Sequence, residues 1–88
     1  MNAKYHELLV HMLGCGDHVP KKSRGYRNRF CAEIGSDDFT HMQAMLIAGL
    51  VTAGCKINQG TMQYFHATRA GMEAIGLKGV ALKRALSD

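Results

Sequence analysis

Apolar residues near the start of the chain recur with the period of an α-helix. The residues of this apolar stripe, three or four positions apart, are Tyr5, Leu8, Leu9, Met12 and Leu13. Such a helix can start at Asn2 and stop at Gly14, since glycine commonly ends helices. The pattern therefore predicts a first core helix between Asn2 and Gly14.

The next segment, residues 15–24, has no such period and contains Gly16 and the single proline of the chain, Pro20. Proline and glycine interrupt helices and favour turns, so this segment is predicted to be an exposed loop. Residues 21–29 include no acidic residue, and we call this stretch the basic segment. Its cations are Lys21, Lys22, Arg24, Arg27 and Arg29.

Residues 25–34 fit two structures. Tyr26, Phe30 and Ile34 are four positions apart, as on one face of a helix, but they also share one face of a strand. A helix here would form a helix-turn-helix with the helix that follows and would place Gly35 at the turn. A strand would replace the first helix of that pair. We favour a short helix, and the strand stays open as the alternative.

A second long helix is predicted from Asp38 to Ala48. The three candidate N-cap residues at its start are Ser36, Asp37 and Asp38. The two carboxylates also suit the partially positive N-terminal end of a helix. The positions predicted to be buried are Phe39, Met42, Met45 or Leu46, and Leu50. Gly49 supplies the left-handed residue that commonly ends a helix.

The pattern then changes to that of an antiparallel hairpin over about residues 50–67. Leu50-Val51-Thr52 predicts the start of its first strand, and Phe65 and Ala67 are predicted to face the core from its return strand. The sequence GCKINQGT at residues 54–61 contains two glycines and is too long for a two-residue turn. It is predicted to be the connecting loop.

The last part of the chain predicts two short helices rather than one long helix. Thr68 is a favourable N-cap for the first of them. A break is expected near Gly76 to Gly79, because a glycine inside a helix costs about 1 kcal/mol relative to alanine. The second helix is basic and has apolar residues to spare between Val80 and Leu86. These spare residues allow a homodimer.

The length of the chain indicates one small domain, residues 1–88. A chain of this size buries only about 60% of the surface that its unfolded form exposes. Apolar residues make up 47% of the sequence, but no apolar run approaches the roughly 18 residues that span a bilayer. The three cysteines cannot all pair within one chain, which favours reduced thiols and a cytoplasmic location.

The region from Phe39 to Ile75 resembles the second half of a winged-helix domain. The motifs that carry the resemblance are Gly49-Leu50-Val51 at the end of a helix and Phe65-His66-Ala67-Thr68-Arg69-Ala70-Gly71 at the return strand and the next helix start. The resemblance implies an α+β fold with about three to four helices and a two- or three-stranded antiparallel sheet. Winged helices usually bind duplex DNA, with one helix in the major groove and the hairpin, or wing, against the backbone.

Base reading by the 38–48 helix would depend on its predicted outer side. The candidate residues there are Thr40, His41 and Gln43, of which Gln43 suits the edge of an adenine. No Lys or Arg lies on this helix, and Asp37 and Asp38 repel phosphate. Because backbone contacts supply most of the affinity for DNA, this departure from the family pattern places the phosphate contacts elsewhere.

Phosphate contacts, or contacts with an acidic partner, are expected from cations in three parts of the chain. These cations are Lys21, Lys22, Arg24, Arg27, Arg29, Lys56, Lys78, Lys83 and Arg84. Tyr26 and Phe30 are interleaved with the basic segment, as in sites where bases stack on aromatic rings. The alternative is that both rings belong to the core and that the charges form a solvated rim.

Residues 26–71 are also similar to a group of small proteins encoded by bacteriophages and prophages. The motifs are Tyr26-Arg27-Asn28-Arg29-Phe30, an acidic turn, a helix that ends in Gly-Leu-Val, and a strand with Tyr-Phe-x-Ala-Thr. This resemblance implies either a regulator of phage genes or a small inhibitor of a host factor or host defence complex, as anti-CRISPR proteins are. A regulator would bind DNA or RNA, whereas an inhibitor would dock on an acidic host protein or ribonucleoprotein complex.

Metal binding and catalysis have little support in the sequence. His11, Cys15 and His18 have the spacing of zinc ligands, but no fourth ligand is evident, so a zinc-stabilised module is a minor alternative. His41 and His66 are predicted to be solvated. The acidic residues form no recognisable catalytic pair, and no phosphate-binding glycine loop is present. We therefore predict a protein that is not an enzyme and has no cofactor.

Overall fold

The computed structural model describes residues 2–87, which form four α-helices, one short 3-10 helix and three strands. The α-helices are α1 (Ala3–Leu13), α2 (Asp37–Ile47), α3 (Arg69–Ala74) and α4 (Gly79–Ser87). The strands are β1 (Phe30–Glu33), β2 (Val51–Ile57) and β3 (Met62–Ala67), and the 3-10 helix is Lys21–Ser23. The predicted α+β class is therefore confirmed.

Strand β3 is the central strand of an antiparallel sheet, with β1 on one side and β2 on the other. In the β1 pairing, Phe30 lies opposite Phe65 and Cys31 lies opposite Tyr64. The short helix favoured for residues 25–34 is thus wrong, and a strand rather than a helix precedes α2. Pairing with β3 satisfies the backbone hydrogen bonds of β1 and buries Ala32 in the core. These long-range gains override the local helical spacing.

The hairpin of β2 and β3 has a longer first strand and a shorter turn than the sequence predicted. Its turn spans residues 58–61 rather than 54–61. Opposite Tyr64, β2 carries both Gly54 and Cys55, so one extra residue forms a bulge and pairing then resumes. The element order is compatible with a small winged-helix-like fold in which this hairpin is the wing.

Three of the four helices end in the same hydrogen-bonding pattern. At the end of α1, Gly14 and the residue after it donate their N–H groups to the carbonyl oxygens of His11 and Val10. Equivalent bonds close α2 at Gly49 and α3 at Gly76. All three glycines have positive φ, as this Schellman motif requires. The residues whose side chains cap the starts of α1, α2 and α3 are Asn2, Ser36 and Thr68. The predicted helix ends and the predicted break are confirmed.

The core lies between the helices and one face of the sheet. The large side chains that are fully buried are Leu9, Met12, Leu13, Met42, Met45, Val51, Phe65 and Met72. Gly71 allows α3 to approach β2 closely, because a Cβ atom there would collide with the carbonyl oxygen of Leu50. On β3, Tyr64 and His66 alternate with the buried side chains and stay partly exposed. One face of the sheet is therefore available to a site.

The surface of α4 carries apolar side chains that nothing within residues 2–87 covers. Val80 is 72% exposed and Leu86 is 47% exposed. The homodimer that these residues allow stays a prediction, because the fold does not show what covers them. In the same described part of the chain, no helix is both long enough and apolar enough to cross a bilayer.

Candidate nucleic-acid interface

The basic segment crosses the C-terminal end of α1, and Arg27 holds it there. The Nε and Nη2 groups of Arg27 donate to the carbonyl oxygen of His11 at 3.2 and 2.6 Å. A cation is favourable at this position because the free carbonyl groups at a helix C-terminus are partially negative. The backbone N–H of Arg29 adds a bond to the carbonyl oxygen of Met12 at 3.3 Å. The Arg29 side chain is left exposed.

Gly14 leaves the space that the ring of Tyr26 occupies. A Cβ atom at Gly14 would collide with that ring, so the ring packs directly against the backbone at the end of α1. Tyr26 is nevertheless 49% exposed. The guanidinium carbon of Arg27 lies 5.3 Å from the ring centroid, which is a cation–π contact. Tyr26 is therefore a surface ring in a defined position and not a core residue.

Asn28 joins the basic segment to the central strand. Its Nδ2 donates to the carbonyl oxygen of Ala67 at 3.0 Å, and its Oδ1 accepts from the N–H of Ala67 at 2.7 Å. The backbone carbonyl oxygen of Asn28 lies 2.7 Å from Nδ1 of His66. A carbonyl oxygen only accepts, so this nitrogen carries the proton. His66 is thus half-buried and hydrogen-bonded, and the prediction that it is solvated is wrong.

These contacts form a cavity beside β1 that we call the aromatic–arginine pocket. The residues that line this cavity of about 460 Å³ are His11, Tyr26, Arg27, Arg29, Phe30, Cys31 and Tyr64. The rings of His11 and Phe30 meet edge to face, with centroids 5.8 Å apart. Within the described residues, no Asp or Glu lines the pocket. The lining of the pocket therefore combines aromatic residues with positive charge, and no carboxylate among residues 2–87 is part of it.

A second cavity, which we call the lysine groove, lies between α1, residues 15–24 and the α3–α4 connection. Its volume is about 560 Å³, and its charged lining residues are Glu7, Asp17, Lys21, Arg24 and Lys78. Cys15 also lines the groove, and burial raises the pKa of its thiol above the ordinary value of 9.0. A backbone hydrogen bond from Gly25 and the charge of Arg24 partly oppose this rise. Because the groove contains both signs of charge, it is the weaker site for a polyanion.

Arg24 and Arg84 add positive charge and also fix the backbone around the basic segment through hydrogen bonds. Arg24 Nε donates to the carbonyl oxygen of Val19 at 3.2 Å, and Arg84 Nη1 donates to the carbonyl oxygen of Arg24 at 2.6 Å. Gly25 approaches α4 so closely that a Cβ atom there would lie 2.6 Å from the carbonyl oxygen of Ala81. The segment is thus packed on α4 as well as on α1.

The other predicted cations are exposed and spread over the surface. They are Lys21 and Lys22 on the 3-10 helix, Arg29, Lys56 in the hairpin, Lys78 before α4, and Lys83 on α4. Of the 11 Lys and Arg residues, Lys4 and Arg69 pair with carboxylates. Among residues 2–87, none of the nine predicted cations forms an ion pair. Their charge is therefore available to a partner.

Helix α2 does not contribute to this interface. Thr40 is exposed and its hydroxyl donates to the carbonyl oxygen of Ser36 at 3.3 Å. His41 is half-buried, with its ring centroid 6.1 Å from that of Tyr5. Gln43 is half-buried too. The structure does not bring these three residues to the pocket or to the groove.

The predicted site omitted three residues that line the pocket. Tyr64 was detectable in the sequence, since a strand with Phe65 in the core must point its neighbour to the other face. His11 and Cys31 were not detectable, because they meet only when the end of α1 lies beside β1. Some residues of the pocket are therefore predictable from their neighbours in the sequence, and others only from the folded structure.

Two of the three candidate zinc ligands line different cavities. His11 lines the aromatic–arginine pocket, whereas Cys15 lines the lysine groove. Within residues 2–87, no group of three or more His, Cys, Asp or Glu side chains is arranged to hold a metal ion.

Comparison with known protein families, with curated proteins and with solved structures gives no match. The winged-helix and phage resemblances therefore stay expectations. The function has to be argued from the chemistry of the interface itself.

Proposed function

We propose that this protein is a non-enzymatic, cytoplasmic domain that binds nucleic acid in a regulatory role, through the basic segment and the aromatic–arginine pocket. The observation that carries the proposal is the lining of that pocket, in which Arg27 and Arg29 lie beside three aromatic residues with no carboxylate among the described residues. Phosphate backbones bind unpaired cations, and bases stack on aromatic rings. The free thiols of all three cysteines support a reducing, cytoplasmic setting.

An acidic host protein is the alternative partner, because unpaired cations also attract carboxylates. The aromatic walls favour nucleic acid. A base gains about 1–3 kcal/mol by stacking on such a ring, whereas a carboxylate repels the negative face of the ring. The two partners therefore differ in whether the binding depends on bases.

Fluorescence anisotropy with labelled DNA and RNA at several salt concentrations tests the proposal. We expect the logarithm of the association constant to fall linearly with the logarithm of the salt concentration, because each phosphate contact releases counterions. The Lys22→Ala/Arg29→Ala double variant is expected to make this slope shallower by about 1 to 2. Arg69→Ala is the matched control, because Arg69 is exposed but already paired with Glu73 at 3.3 Å.

Neither Lys22 nor Arg29 uses its side chain in a hydrogen bond or ion pair within residues 2–87, so the double variant is expected to keep the fold, which circular dichroism verifies. An unchanged affinity and slope in the double variant would refute the assignment of the basic segment. Polyglutamate that binds as tightly as nucleic acid would make an acidic protein the partner instead.

A further inference from the structure

We infer that the aromatic–arginine pocket takes one unpaired base of a single strand, with Arg27 and Arg29 on the phosphates that flank it. The inference rests on the proposed function and narrows it from nucleic acid in general to single-stranded DNA or RNA. The aromatic rings, the arginine donors and the surface of α2 each support it.

Two rings of the pocket, those of Tyr26 and Tyr64, are accessible at the surface. Tyr26 is 49% exposed and Tyr64 is partly exposed, whereas the partly exposed Phe30 lies opposite Phe65 and packs against the core. A base inside a duplex is covered on both faces by its neighbours, so only an unpaired base can stack on a protein ring. The cavity of about 460 Å³ has the size of sites that enclose small ligands. Because β1 is an edge strand, no further strand formed by residues 2–87 blocks the approach to it from that side.

Arg27 is held in position with donors to spare. A guanidinium group has five N–H donors. Arg27 uses two of them for the carbonyl oxygen of His11, which leaves three. The carbonyl group is neutral, so the full positive charge of Arg27 remains. Because the side chain is already ordered, little rotamer entropy is lost when it binds a phosphate. Arg29, whose side chain is exposed, supplies a second phosphate contact.

The surface that would have to read a duplex lacks the necessary charge. Helix α2 contains no Lys or Arg, and it begins with Asp37 and Asp38, which repel phosphate. Ile47 in its last turn is 89% exposed. The hairpin adds only one cation, Lys56. Helices that enter the major groove depend on backbone contacts around them, and α2 does not offer these contacts.

Anisotropy titrations with three probes of equal length test the inference. The probes are a thymidine strand of about 12 nucleotides, a site size typical of such proteins, its duplex with the complementary strand, and a strand that is abasic throughout. We expect the thymidine strand to bind at least about tenfold more tightly than either of the other two. Tyr26→Ala is expected to remove this preference over the abasic strand, and Tyr26→Phe is expected to keep it.

Equal affinity for the thymidine strand and the duplex, or for the thymidine strand and the abasic strand, would overturn the inference but leave the proposed function standing. Failure to bind these three probes and a uridine strand of the same length would overturn both. The abasic probe changes the nucleic acid and not the protein, so the wild-type comparison decides the matter even if Tyr26→Ala does not fold.

Discussion

The aromatic–arginine pocket and the lysine groove draw on the same basic segment but present different chemistry. Arg24 lines the groove, while Tyr26, Arg27 and Arg29 line the pocket. The groove is the larger cavity, about 560 Å³ against about 460 Å³. However, it includes Glu7 and Asp17, whereas no carboxylate among the described residues lines the pocket.

A run of cations in a sequence is therefore not one electrostatic surface. Gly25 lies between the two sites along the chain and packs on the carbonyl oxygen of Ala81, so the residues before and after it meet different neighbours. The charges that surround each cation after folding decide whether it attracts a polyanion. Cavity size does not identify the better site here, and the charge and aromatic content of the lining do.

The largest expected effect concerns Asn28, which holds the pocket side of the segment on β3. Asn28→Ala leaves the buried N–H and carbonyl groups of Ala67 without the side-chain partners they have in the native structure. Each unsatisfied group costs about 1–3 kcal/mol, so we expect urea denaturation to give a free energy of unfolding that is lower by about 3 kcal/mol.

Gln43→Ala is the matched control for this loss, because the half-buried side-chain amide of Gln43 makes no hydrogen bond within residues 2–87. Its effect is expected to stay within about 0.5 kcal/mol. If the free energy of unfolding fell by the same small amount in both variants, Asn28 would not be the residue that holds the basic segment on the sheet.

The next largest effect concerns Gly25, which lies between the two sites along the chain and packs on α4. Gly25 and Gly76 have similar positive φ values, 79° and 84°, and an alanine in this region costs about 1–2 kcal/mol. Only Gly25 also faces a backbone carbonyl oxygen, that of Ala81, while the space at Gly76 is open. We therefore expect the free energy of unfolding, measured by heat or urea, to fall by about 1 kcal/mol in Gly76→Ala and by at least about 2 kcal/mol in Gly25→Ala. Equal losses would contradict the close approach at Gly25.

A smaller effect distinguishes a cation that supports the segment from one that only adds charge. Arg84→Met removes the bond to the carbonyl oxygen of Arg24, and we expect a loss of about 1.5 kcal/mol in the free energy of unfolding. Lys83→Met removes the same charge from an exposed neighbour and is expected to change stability by less than about 0.5 kcal/mol. Identical stabilities for the two variants would argue against a supporting role for Arg84.

The smallest effect compares the sites through their cysteines, since Cys31 lines the pocket and Cys15 lines the groove. Saturating single-stranded DNA is expected to slow alkylation of Cys31 severalfold and to leave the rate at Cys15 unchanged, as measured by mass spectrometry of a Cys55→Ser variant. The thiolate is the reactive form, and burial raises the pKa of Cys15. Its alkylation is therefore slow near neutral pH and accelerates as the pH rises through that raised pKa. Protection of Cys15 rather than Cys31 would place the nucleic acid in the groove.

Much of the fold was predictable from local signals. The ends of α1 and α2 follow from Gly14 and Gly49, whose positive φ closes each helix, and the cap of α3 follows from Thr68. The hairpin was predicted from its alternation, but its turn was placed too early because a bulge at Gly54 looks like a loop in the sequence. The strand β1 was only the alternative prediction for residues 25–34, because their spacing fits both structures and only β3 selects between them.

The pattern along the chain was enough to predict the α-helices, the hairpin and a group of cations beside aromatic residues, because capping, periodicity and charge are properties of neighbouring positions. Packing alone set which cations face an aromatic pocket and which face carboxylates. It also assigned Arg84, Arg27 and Asn28 to contacts with distant backbone groups. The physical reason is that a hydrogen bond or a field between residues far apart in the chain exists only after packing has brought them together.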